Sequence, residues 1–132
     1  DASQENALYD HSGLKVKDVG ASVRFYSAAL AGLGHVLASQ DANGAGFGPP
    51  GAPALWLYRN EQAAHAATHV AFRAGSRAAV ETFHREGLKA GGRENGKPGL
   101  RADYSPNYYA AFLLDPDGNN VEAVWMKTEG AR

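Results

Sequence analysis

Cysteine is absent from this chain. Disulfides, thiolate catalysis and cysteine-ligated zinc are therefore excluded. Basic excess is absent too: 13 Lys and Arg stand against 14 Asp and Glu, a net charge of −1. That balance offers nothing to a nucleic-acid backbone or an anionic membrane surface. No apolar run approaches the roughly 18 residues of a transmembrane helix. The polar, acidic start DASQENALYD is unlike a secretory signal. There is no phosphate loop, nucleophile elbow or dinucleotide fingerprint. On this negative evidence the cytoplasm is the expected location.

What is present is the material of one domain. The chain has 132 residues, 44% of them hydrophobic and 20% charged. Its 16 glycines fall in short clusters, which mark turns rather than a repeat. Residues 1–9 read as a polar arm, 10–59 as a first module, 60–67 as a linker, 68–127 as a second module and 128–132 as a tail.

Each module reads as a strand, a helix and three strands. Residues 10–17 alternate, with His11, Gly13, Lys15 and Lys17 on one face and Ser12, Leu14 and Val16 on the other. Asp18 is a helix N-cap, and Val19, Val23, Tyr26, Leu30 and Leu33 form the stripe of an amphipathic helix. Strands follow at His35–Gln40, Phe47–Gly48 and Ala54–Arg59. In the second module, Thr68–Ala74 is a strand and Ser76 caps a helix from about Arg77 to Ala90. Arg93–Pro106 is polar and glycine-bearing, with room for one short strand. Asn107–Asp115 is a strand, and Asp115-Pro-Asp-Gly118 turns into a last one, where Glu122 stands mid-strand.

The repeat is visible in letters. Shifted by 58 residues, His11 falls on His69, Asp18 on Ser76, Phe25 on Phe83, Leu30 on Leu88 and Gly34 on Gly92, with no gap. Two like modules about a pseudo-twofold axis would place the two histidines at equivalent positions. Each module's last strand would face the same concavity, delivering Glu122 in the second half and a residue near Trp56 in the first. A lone carboxylate among apolar residues needs compensation. Either a metal supplies it, or an arginine does, with Arg24, Arg73 and Arg101 available.

Three motifs carry a family resemblance: His11-Ser-Gly-Leu-x-Val with the Ser22–Leu30 helix, Thr68-His69-Val-Ala-Phe, and Tyr108-Tyr-Ala-Ala-Phe-Leu-Leu-Asp-Pro-Asp-Gly-Asn-Asn-Val-Glu122. The chain resembles the vicinal oxygen chelate superfamily of glyoxalases, bleomycin-resistance proteins and extradiol dioxygenases. The resemblance implies an α+β fold of two βαβββ modules whose sheets form a cup around a divalent metal. It implies His11, His69 and Glu122 as ligands for Fe, Zn, Mn, Ni or Co, and a homodimer. Glyoxalase I enzymes typically have four ligands, so the residue near Trp56 departs from their pattern; two His and one Glu resembles the extradiol dioxygenases. Three protein ligands leave positions open for substrate. The implied activity is lyase, isomerase or dioxygenase chemistry on a substrate with vicinal oxygens. Metal-free sequestration of a small antibiotic-type molecule is the alternative.

Around that centre, Tyr104 is the candidate acid/base beside Glu122. Phe47, Trp56 and Tyr58 are candidates for an aromatic wall, and Arg101, Asn107 and Tyr109 for substrate contacts. The tyrosines read equally well as packing residues, and Arg101 as a solvated loop side chain. His35, His65 and His84 have no partner in the repeat and read as surface residues.

Overall fold

The computed structural model describes residues 8–63 and 68–127, so His65 lies outside the described residues. The order is β1 (Ser12–Val16), α1 (Val19–Ala31), β2 (Val36–Asp41), β3 (Gly44–Gly48), β4 (Leu55–Arg59), then β5 (His69–Arg73), α2 (Arg77–Lys89), β6 (Arg93–Leu100), β7 (Tyr108–Leu114) and β8 (Asn120–Met126). This is two βαβββ modules. Each makes a four-stranded mixed sheet, ordered β1-β4-β3-β2 and β5-β8-β7-β6. In both, the first strand lies parallel to the last and the remaining pairs are antiparallel. No described helix is long and apolar enough to cross a membrane.

Both helices start where the caps lie. The Asp18 carboxylate accepts from the Ala21 N–H at 3.0 Å, and the Ser76 hydroxyl from the Ala79 N–H at 3.1 Å. Alternation then sorts the strands. Leu14, Val16, Leu55, Leu57, Ala45 and Phe47 turn toward the helices and are buried, as are Tyr109, Ala111, Leu113, Val121 and Ala123 in the second sheet. The two helices meet over small residues. A Cβ at Gly87 would stand 2.4 Å from Leu113 Cδ1, and one at Gly92 would stand 2.5 Å from Phe25 Cε1. Phe25 and Leu113 are fully buried there, so both modules share one core.

The Asp115–Asn119 turn ties the modules together. One Asp115 oxygen accepts from the backbone N–H groups of Asp117 (2.9 Å) and Asn119 (2.8 Å). The other accepts from the Asn119 side chain (2.9 Å) and from the Tyr26 hydroxyl of α1 (2.5 Å). Asp117 in turn accepts from the Lys17 N–H at 2.9 Å, just before α1. Gly118 takes φ +88°, as the turn requires. Asp115 is fully buried, and the strand that follows it carries Glu122.

Several sequence expectations change. His84 is not a surface residue. It is buried on α2, with Nε2 2.6 Å from Glu94 Oε1 on β6. β3 begins at Gly44 rather than Phe47. Arg93–Leu100 is a full strand of eight residues despite its polarity. It lies at a sheet edge with two register shifts, which lets Pro98 sit in a strand.

His35 is half-buried behind α1. Among the described residues its buried Nδ1 has no hydrogen-bond partner. Burial pushes its pKa down from 6.5. A depressed histidine favours the neutral form, so its stabilisation is present above about pH 6.5 and is lost as pH falls. His35→Gln is therefore expected to flatten the fall in Tm between about pH 7.5 and about pH 5.5. Melting curves of the two proteins that stay parallel across that range would contradict this.

Candidate functional site

The second sheet has one face toward the helices and one face free of them. Strand register puts His69, Asn120, Glu122, Phe112 and Tyr108 on the helix-free face. Glu122 is at its centre, and both of its oxygens are engaged. Oε1 lies 2.8 Å from His69 Nε2. Oε2 accepts from the Tyr108 hydroxyl at 2.6 Å. The Glu122 side chain is only 3% exposed and that of His69 is 48% exposed, so the carboxylate lies beneath an imidazole that reaches solvent. His69 stacks on Phe112, with centroids 6.3 Å apart. Burial, then the Glu122 hydrogen bond, pushes the Tyr108 hydroxyl well above the usual phenol range, which keeps it a donor. The exposed Tyr104 meets Tyr108 edge-on at 4.9 Å.

The register also settles what stands opposite Glu122 in the first module. Gly13, two residues after His11, pairs with Trp56. Ala71, two residues after His69, pairs with Glu122. Trp56 is thus the counterpart of Glu122. Its indole lies across Gly46, where a Cβ would come 2.3 Å from the ring. Tyr58 covers Gly13 in the same way, at 2.7 Å. These glycines let two aromatic rings lie flat on the helix-free face of the first sheet.

A family model for a glyoxalase-like domain matches residues 11–124. The chain belongs to this family. Its fold is that of the vicinal oxygen chelate superfamily. A glyoxalase/bleomycin resistance protein from Albidiferax ferrireducens is 26% identical, with a TM-score of 0.78 over 90% of this chain and 99% of that one. A glyoxalase from Bacillus halodurans, its assignment provisional, is 23% identical, with a TM-score of 0.68 over 92% of this chain and 98% of that one. The bleomycin resistance determinant of transposon Tn5 is 18% identical, with a TM-score of 0.61 over 88% and 95%. The last two likenesses show the fold alone. No curated protein sequence matches.

Within this glyoxalase-like chain the expected site residues separate. His69 and Glu122 come together. His11 precedes β1, is exposed, and has Nδ1 2.9 Å from Asp10 Oδ1. Among the described residues no group of three or more His, Asp or Glu is placed to hold a metal ion. Phe47 is fully buried and faces α1, 6.1 Å from the Tyr26 ring, and it lines a cavity together with His11, while Trp56 and Tyr58 lie on the other face. Tyr109 is corrected as well. It faces α2, donates to Glu81 at 2.7 Å and lies under the Arg77 guanidinium. Asn107 sits half-buried before β7, its N–H donating to Ser105 Oγ at 3.2 Å. Arg101 lies over the Phe112 ring, not beside Glu122, at 5.3 Å from the centroid.

Tyr108 stands among the rim candidates of the Tyr104–Tyr109 stretch, and its bond to Glu122 is what the structure adds. The signal was available: alternation puts Tyr108 and Phe112 on one face and Tyr109 on the other. Only the β7–β8 register, with Phe112 opposite Glu122, shows which face matters.

His69 Nε2 and Glu122 Oε1 are 2.8 Å apart, and an imidazole nitrogen and a carboxylate oxygen are donor types that bind divalent ions. The donor types suit such an ion. The pair supplies two such donors, and among the described residues no third His, Asp or Glu joins them.

Proposed function

We propose that this glyoxalase-like protein is a metal-dependent enzyme acting on a small substrate with adjacent oxygens. His69 and Glu122 hold a divalent cation, and the His11 of a second copy of the chain is the third ligand. The reading rests above all on the nearly inaccessible Glu122 carboxylate lying under a half-exposed His69, on a face with no helix over it. A carboxylate placed there is costly unless a positive partner meets it. When bound, the cation would supply Lewis-acid charge for an oxyanion that develops on the substrate. The chain's own groups do the rest. Tyr108 fixes Glu122 through one oxygen, so the ligand set needs no rearrangement. Phe112 holds the His69 ring by stacking. Tyr104, exposed at the rim, is the group that moves a proton to or from substrate. Two observations favour a dimer: His11 is exposed, and β1 and β5 are edge strands.

Metal analysis of protein purified without chelator tests this. The expected result is stoichiometric metal in the wild type and its loss in His69→Ala and in His11→Ala. Mixing His11→Ala with Glu122→Gln is expected to restore part of the binding, because a mixed dimer rebuilds one intact site. Trace metal only, in wild type reloaded with Mn, Fe, Co, Ni or Zn, would sink the proposal.

The aromatic floor of Trp56 and Tyr58 favours a second reading, sequestration of a planar small molecule. Ligand binding that persists in excess chelator and weakens in Trp56→Ala would favour it.

A further inference from the structure

Arg101 follows β6 and folds back onto the sheet. Its Nη2 stands 3.2 Å from where a Cβ of Gly96 would be, and Nη1 stands 3.1 Å from that of Gly99. Gly96 pairs with Phe112 and Gly99 with Ala110, so both glycines belong to the face that carries Glu122 and His69. The guanidinium therefore rests on bare backbone, on the side of the site away from β5. Gly96 has φ +154°, and a side chain there would also meet Phe112. A Cβ at either position would press on the guanidinium and make it give way by a few tenths of an ångström.

What Arg101 does there is not explained by its partners. Among the described residues no carboxylate pairs with it. Among the described residues its guanidinium makes one hydrogen bond, from Nη2 to the Lys97 carbonyl at 2.6 Å, which orients the plane and leaves its other N–H groups without a partner. Phe112 lies under it at 5.3 Å and also stacks with His69 at 6.3 Å. One ring thus links the guanidinium to the imidazole.

We propose that Arg101 is a specificity-determining residue that binds a carboxylate of the substrate, so the site takes small carboxylic acids, with the acid group over Gly96 and Gly99 and the adjacent oxygens at His69 and Glu122. A planar guanidinium with free donors binds a carboxylate through two parallel hydrogen bonds. The proposal rests on His69 and Glu122 being the substrate site.

The test uses mandelate, which has a carboxylate, an adjacent hydroxyl and an aromatic ring, against neutral mandelamide and against phenylphosphonate. Titrations are followed by amide and arginine Nε NMR signals. Mandelate is expected to shift the signals of Arg101, Gly96 and Gly99. Arg101→Gln is expected to weaken mandelate about tenfold to a hundredfold and to leave mandelamide unchanged. Arg101→Lys should recover only part of the loss, since an ammonium cannot make the two parallel bonds. Metal content is read in the same samples, and Arg101→Gln should leave it unchanged. Arg101-dependent binding without metal would overturn the metal reading and leave this one standing. Failure of mandelate to bind, equal affinity in wild type and Arg101→Gln, or a preference for phenylphosphonate over mandelate would overturn this one.

Discussion

Asp115→Ala is expected to lower stability by about 3–5 kcal/mol, the scale for removing one member of a buried charged network. The carboxylate is fully buried and accepts four hydrogen bonds, two from backbone N–H groups and two from side chains. Alanine would leave all four donors without an acceptor, and each buried orphan is costly. The Tyr26 hydroxyl is the worst placed. Burial has already pushed its pKa well up, and α1 offers it no route to water. Tyr26→Phe removes only one of the four bonds and should cost about 1 kcal/mol. Urea unfolding checks both values, with a lower midpoint at unchanged slope expected. A loss below about 1 kcal/mol for Asp115→Ala would show that water takes over as donor and acceptor at this turn. The effect reaches the site as well, because the turn sets the start of β8 and hence the position of Glu122.

Glu122→Met is expected to separate stability from function. Removing divalent metal binding is the larger effect. Changing a group that only supports a ligand costs about 10–100-fold in metal affinity, so with Glu122 as the proposed ligand its loss should cost at least about a hundredfold. Stability should be unchanged or higher by up to about 2 kcal/mol, since an apolar residue of similar volume replaces a desolvated carboxylate. His69 is half-exposed and Tyr108 partly so, and both can turn to water once the carboxylate is gone. Paired thermal unfolding and metal analysis measure the two effects. A variant that loses several kcal/mol, with metal binding intact, would mark Glu122 as a structural pin rather than a ligand.

The aromatic residues show where sequence reading stops. In Tyr108–Leu114, alternation separates Tyr108 and Phe112 from Tyr109, Ala111 and Leu113. It does not say which set meets a helix. Tyr109 was the expected substrate contact, and the structure gives that face to α2 and gives Tyr108 to Glu122. Phe47 likewise faces a helix, α1. Trp56 and Tyr58 lie on the helix-free face because Gly13 and Gly46 leave room for their rings. His84 could not be read as buried, because its partner Glu94 lies on a strand whose polar, Gly- and Pro-bearing sequence looks like a loop.

By itself the sequence determined the architecture: two βαβββ modules, two capped helices, and a 58-residue repeat that sets His11 against His69. Such features follow from short-range chemistry, namely residue period, N-cap hydrogen bonds and glycine turns, and these act within a few residues. Tertiary structure alone decided which strand faces are covered, that His69 and Glu122 meet while His11 stands apart, and that Arg101 lies on the glycines of β6. Each of those depends on register between strands distant in the chain and on how the two helices pack, which no local pattern encodes.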